Sequence, residues 1–148
     1  MTTIQSRRLA AVLIADIAGY TSLMERDTDG TVSAWRIVRE EVINPKVGAY
    51  QGRIVKYTGD GFLAEFSSVQ NAIECALDLQ SGFDDSPLDF RIGISLGDVV
   101  DDGVDIHGEG VNIAARIEAL AEPGDICVTA VVRDTVQNPV SVGFDELG

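Results

Sequence analysis

Leu9 to Ala15 is an almost unbroken apolar run, bounded by Arg7-Arg8 on one side and Asp16 on the other. A run without alternation reads as a β-strand covered on both faces. It delivers a lone carboxylate, Asp16, at its end, and Gly19 loosens the backbone just beyond. A second pair of β-rich segments, Arg53 to Tyr57 and Phe62 to Phe66, is joined across Thr58-Gly59-Asp60-Gly61. Glycines in such a link accept turn dihedrals that other residues resist, so the spacing predicts a hairpin with Asp60 in its turn.

The remaining elements follow from periodicity. Asp27 to Gly30 are helix-start residues, and Val32, Trp35, Val38 and Val42 then fall on one helical stripe. Pro45 is expected to kink or end that helix near Asn44. Ser67 or Ser68 caps a helix with Val69, Ala72, Ile73, Ala76 and Leu77 on its apolar face. A polar loop, Ser81 to Pro87, precedes a strand in which Phe90, Ile92, Ile94 and Leu96 alternate with Arg91, Gly93 and Ser95. An arm through Asp101-Asp102-Gly103 leads to Val104–Ile106, and Val111 to Leu120 is a helix stopped by Pro123-Gly124. Ile126 to Val128 reads as a strand, Ala130 to Gln137 as a short helix, and Val140 to Gly148 as one more strand. The order β-α-β-β-α-β with a further helix-and-strand unit predicts an α+β sandwich of ferredoxin-like type, one domain over residues 1–148.

Composition narrows the functions. The chain has 24 acidic against 11 basic residues, a formal net charge of −13. That balance disfavours nucleic acid or an anionic membrane as partner, and repels a nucleoside triphosphate unless metal ions and placed cations intervene. The apolar N-terminal run is too short for a membrane span or a signal peptide. Cys75 and Cys127 lack metal-ligand spacing and are expected to be reduced core thiols, as suits a cytoplasmic protein. No P-loop, zinc pattern or Gly-x-Gly-x-x-Gly motif is present. Ser22, Ser95 and Thr58 have no base placed to activate them, so nucleophilic hydrolysis is poorly supported.

Against that background a few polar residues stand out. In a ferredoxin-like sheet the first strand neighbours the central hairpin, so Asp16 and Asp60 can converge on one edge. Two adjacent carboxylates repel unless a cation lies between them, and a hard divalent ion such as Mg²⁺ or Mn²⁺ resolves that conflict. Taken singly, Asp60 is as readily a turn former and Asp16 a cap. Lys56 is one of only two lysines and is flanked by apolar residues. It is either a solvated strand lysine or a partly buried one needing a carboxylate or a purine lone pair. Asp105 could accept from an exocyclic amine or simply close the Asp101-Asp102 arm. Asn112 and Arg116, four apart on one helix, share a face suited to ribose and phosphate, or form a polar surface with Glu109 or Glu118. The sole histidine, His107, reads as a surface loop residue.

Taken together, these segments resemble the class III nucleotidyl cyclase catalytic domain, especially bacterial adenylate cyclases. The resemblance runs from Arg7 to Gly148 and rests on Arg8 to Thr21, Lys56 to Gly61, Arg91 to Ile94, Asp105 to Gly108 and Val111 to Arg116. It implies that Asp16, Asp60 and the backbone carbonyl of Ile17 bind two divalent metals, Mg²⁺ or Mn²⁺. It implies that Lys56 and Asp105 read adenine, where guanylate cyclases usually carry other residue types. Asn112 would orient the ribose and Arg116 would stabilise charge at the α-phosphate of ATP. It further implies a homodimer with two shared sites, the aspartates coming from one subunit and the other four residues from its partner. A family segment with a phosphate-contacting lysine is not found after Phe144 to Gly148, so the chain is expected to stop short of the family's last strand. Two expectations follow: an adenylate cyclase, or a catalytically impaired nucleotide-binding and dimerisation module.

Overall fold

The computed structural model describes residues 6–136. Its sheet is built from β1 (Ser6–Ile17), β2 (Arg53–Tyr57), β3 (Gly61–Phe66), β4 (Phe90–Asp101), β5 (Ile106–His107) and β6 (Ile126–Val128). The order is β2-β3-β1-β4-β5, all antiparallel neighbours, with β6 added parallel to β4. Strands β1 to β4, with the helices between them, form the expected ferredoxin-like βαββαβ unit. The strand anticipated at Val140 to Gly148, and Gln137, lie outside the described residues.

The apolar run of β1 is explained by its position at the centre of the sheet. Ala11, Leu13, Ala15 and Ile17 enter the larger core, beneath α2 (Thr28–Val38), α3 (Asn44–Ala49) and α4 (Val69–Gly82). Ala10 and Val12 point the other way, into a smaller cluster with Leu63, Val99, Ile106 and Ala114 of α5 (Glu109–Ala119). Both faces are dry, so alternation has no reason to appear. The remaining helices are α1 (Tyr20–Arg26) and α6 (Ala130–Thr135).

Several sequence expectations are refined. Residues Tyr20–Arg26, a stretch without a clear sequence signal, form α1, which starts at Gly19 in a left-handed conformation (φ 65°). On α2 the buried positions are Thr31, Trp35 and Val38, whereas Val32 is exposed. Ser68, rather than Ser67, caps α4 by accepting from the Asn71 N–H. Pro45 does not end its helix. A π turn over Arg39–Ile43 joins α2 to α3, with the Asn44 N–H donating to the Arg39 carbonyl five residues back. The wider turn opens the ladder just ahead of the proline ring, so the missing N–H falls where a donor is already redundant. Lys46, the other lysine, is structural, pairing with Asp78 of α4 at 2.8 Å. Cys75 is buried and Cys127 half-buried, and neither forms a disulfide.

Strand β4 is longer than its alternating segment, and its second face is also covered. There α5 lies almost on the strand backbone, because Gly93, Ser95 and Gly97 present little or no side chain. The Ser95 hydroxyl donates to the Gly110 carbonyl, and Gly97 faces the Gly110 Cα. At the far end of the same face, Arg8 and Arg53 clamp Glu65 and Asp101, tying together β1, β2, β3 and β4. Glu65 is buried, yet the two guanidiniums hold its carboxyl below the ordinary range against the opposing effect of burial.

A methyl group at Gly93 would meet the Glu118 Cα at 2.7 Å and the Ala114 carbonyl at 2.8 Å, both backbone atoms of α5. Gly93→Ala should therefore lift α5 from the sheet and cost about 1–3 kcal/mol. Thermal denaturation would read this as a midpoint several degrees lower; an unchanged midpoint would contradict the close packing.

Candidate active site

The end of β1 is gripped from both sides. Asp16 lies opposite Gly61 of β3 and opposite Arg91 of β4. The next residue, Ile17, donates its N–H to the Asp60 carbonyl at 2.7 Å, so the hairpin turn is bound to the strand end. Asp16 and Asp60 thus sit on one edge, as the topology predicts, and both are half-buried. The Arg91 Nε donates to Asp16 Oδ1 at 3.2 Å, leaving Asp16 about a quarter exposed. Ile17 brings its own carbonyl to the same strand end.

A third carboxyl was missed by sequence reasoning. Glu118, assigned to a polar surface, is buried at 5% exposure on the inner side of α5. The signal available was its spacing: Gly110, Ala114 and Glu118 are successive i, i+4 positions, and all three are buried. Burial is the main cause that pushes the Glu118 carboxyl up, to about 8. Its hydrogen bond with Asp16 and the charges of Asp16 and Asp60 push the same way, and Arg91 opposes them. At neutral pH Glu118 therefore keeps its proton and shares it with Asp16. Crowded carboxyls favour a proton held between them.

That crowding fits a divalent ion. Among the described residues no three Asp, Glu, His or Cys side chains form a ready-made cage. Two carboxylates and a strand-end carbonyl would leave coordination positions to water and phosphate oxygens, which is how Mg²⁺ is usually held.

The second group of residues is arranged elsewhere in the chain. Lys56, open between a solvated strand lysine and a partly buried one needing a partner, is exposed on β2, and its Nζ donates to Asp105 Oδ2 at 2.7 Å. The pairing therefore joins a hairpin strand to the β4–β5 arm. The arm is held in turn by Asp102, whose carboxylate accepts from the Val104 and Asp105 N–H groups and is lowered to about 2 chiefly by them. His107 is exposed and bonds Asp102 at 3.0 Å, in keeping with a surface role. Asn112 and Arg116 are both exposed on α5. They are two residues out of phase with Gly110, Ala114 and Glu118, hence on the helix side turned away from Asp16. The structure thus brings Asp16 together with Asp60, and Lys56 with Asp105. It does not bring Arg116 to the aspartates of its own chain.

A proton bound in the folded state but not in the unfolded one stabilises only below the folded pKa. Glu118 should therefore cost metal-free protein stability as pH rises from about 5 towards about 8. Glu118→Gln keeps a donor to Asp16 without the titration. In chelator it should flatten this decline and raise the melting midpoint at pH 8 by a few degrees. Parallel stability curves for wild type and variant would contradict the buried carboxyl pair.

The sequence matches the adenylate and guanylate cyclase catalytic domain over residues 3–147. It is 43% identical over 150 residues to a Rhizobium meliloti protein named "Putative adenylate cyclase 3", covering 96% of this chain and 26% of that protein. It is 32% identical over 130 residues to an adenylate cyclase of Glutamicibacter nicotianae, covering 86% and 32%. The chain thus spans less than a third of the length of either relative. A crystal structure of an adenylate/guanylate cyclase/hydrolase from Silicibacter pomeroyi superposes with a TM-score of 0.90 at 44% identity, covering 98% of this chain and 89% of that one. With its paired strand-end and hairpin aspartates set in that fold, the chain belongs to the class III adenylate and guanylate cyclase catalytic-domain family.

Proposed function

We propose that the chain is the catalytic domain of an adenylate cyclase, converting ATP to 3′,5′-cyclic AMP and pyrophosphate at two sites shared across a homodimer. The observation that carries this reading is the division of the polar residues. The Asp16–Asp60 edge and the outward face bearing Asn112 and Arg116 cannot serve one nucleotide within a single chain. Two chains packed around a two-fold axis would bring each edge to the other's complementary face. The named adenylate cyclases among the relatives support the same substrate.

Purine choice follows from donor and acceptor order. Adenine offers a ring-nitrogen acceptor beside an amino donor, which matches the Lys56 ammonium beside the Asp105 carboxylate. Guanine presents the reverse order, a ring N–H beside a carbonyl, and would set donor against donor. Their 2.7 Å ion pair sets the two side chains next to each other, which supports their reading one purine edge together.

In the reaction the ribose 3′-oxygen forms a bond to the α-phosphorus, the α-phosphorus bond to the oxygen shared with the β-phosphate breaks and pyrophosphate leaves with that oxygen, and the 3′-hydroxyl proton passes to water. Two Mg²⁺ or Mn²⁺ ions, when bound, supply acidification of that hydroxyl and neutralise the leaving pyrophosphate. Asp16, Asp60 and the Ile17 carbonyl are the oxygen donors that would hold them. Arg91, already on Asp16, keeps a cation beside the anionic substrate. Asn112 orients the ribose, and Arg116 directs its guanidinium at charge growing on the α-phosphate, a contribution worth roughly a thousandfold or more. No protein nucleophile is needed for this displacement. No helix among the described residues is long and apolar enough to cross a membrane. Reduced thiols and ATP as substrate suit a cytoplasmic setting.

The test is cyclic AMP formation from Mn²⁺-ATP, run beside sizing of the same sample. Wild-type dimer should turn over ATP far faster than GTP, and Asp16→Ala should lose about a thousandfold. ATP binding without turnover, or an Asp16→Ala variant as active as wild type, would overturn the assignment.

A further inference from the structure

The two peptide groups that flank the Asp60 Cα are each tied to a different element. The peptide after Asp60 presents its carbonyl to the Ile17 N–H at 2.7 Å, within the sheet. The peptide before it presents the Gly59 carbonyl to the Trp35 indole N–H at 3.1 Å, and Trp35 lies on α2. Two fixed peptide planes fix the Cα–Cβ bond between them, and so the direction in which the carboxylate leaves the chain. Gly59 has open space around its Cα and could otherwise let the first peptide rotate.

We propose that Trp35 is a positioning residue for the ion-binding turn, its indole N–H setting the orientation of the Asp60 carboxylate. This rests on the reading of Asp16 and Asp60 as metal ligands. The surroundings of Trp35 suit a rigid strut. Its ring is buried at 4% exposure, edge-on to Tyr57 with centroids 5.9 Å apart and tilted against Phe90 at 5.8 Å. Arg39, one helical turn on, places its guanidinium 5.0 Å from the Trp35 ring centroid and 5.7 Å from that of Tyr57. The Tyr57 hydroxyl in turn donates to Asn44 Oδ1 at 2.6 Å, so the strand leading into the turn is anchored to the same helical segment. Packing alone would be met by phenylalanine. The N–H aimed at the turn is what phenylalanine lacks.

Trp35 is the chain's single tryptophan, which makes the idea directly readable. Mg²⁺, which does not quench, should shift the emission of the wild-type protein, and Asp60→Ala should abolish both the shift and the calorimetric binding behind it. Trp35→Phe should weaken Mg²⁺ binding by about three- to tenfold, the scale of one buried hydrogen bond. At saturating Mg²⁺ kcat should recover to within about twofold of wild type, a split that general loss of structure would not produce. Replacing the indole by the isosteric benzothiophene keeps the ring and removes only the donor, and should give the same loss of calorimetric Mg²⁺ affinity, about three- to tenfold, should the phenylalanine variant fold poorly. Unaltered Mg²⁺ affinity in the benzothiophene protein, with Mg²⁺ still bound by wild type, would overturn the role of Trp35 alone. Failure of wild type to bind Mg²⁺ in an Asp60-dependent way would overturn it together with the metal reading.

Discussion

The carboxylate edge of this fold depends on the backbone hydrogen bond from Ile17 to the Asp60 carbonyl and on the strand pairing beside it. Asp16 is held between β3 and β4 because β1 is the central strand, and β1 is central because its residues are apolar in both directions. A carboxylate at the end of such a strand cannot retreat into solvent as a surface side chain could. It must meet the hairpin turn on one side and Arg91 on the other. The repulsion between carboxyls at this edge is therefore built into the sheet, and is met by Arg91, by a proton on Glu118 and, on the proposed reading, by metal ions.

The same logic explains how an acidic chain could handle a polyanionic substrate. A net charge of −13 makes an unassisted approach of ATP unfavourable, so the few cations matter by position. Arg8 and Arg53 are committed to Glu65 and Asp101, and Lys46 to Asp78, all structural pairings. On the proposed reading, Arg91 of one chain and Lys56 and Arg116 of its partner are the cations that meet the substrate. Two of them already touch acidic partners in the chain.

Much of this was legible in the sequence because it rests on local periodicity and turn chemistry. The apolar run of β1, the Thr58 to Gly61 hairpin and the order of elements were enough to bring Asp16 to Asp60. Features set by tertiary contact were not. Glu118 is indistinguishable from a surface glutamate until α5 is known to lie on glycines of β4. Of the two effects expected at Pro45, a kink or an end, the end is not seen, because a π turn, which leaves no residue signature of its own, carries the helix past it. Trp35 was read as part of an apolar stripe, correctly, but its polar atom gained meaning only when the hairpin turn was found beneath it. The pairing of Lys56 with Asp105 lay between these cases: each residue was singled out, and the fold supplied the contact.

The central claim is that a working site needs two chains, one giving Asp16 and Asp60 and the other giving Lys56, Asp105, Asn112 and Arg116. The most direct measurement mixes Asp16→Ala protein with Arg116→Ala protein, each inactive alone. Random exchange should leave half the dimers mixed, each with one intact site of two, and restore about a quarter of wild-type cyclic AMP formation. A mixture as inactive as its parents, while labelled chains are seen to exchange, would contradict the account.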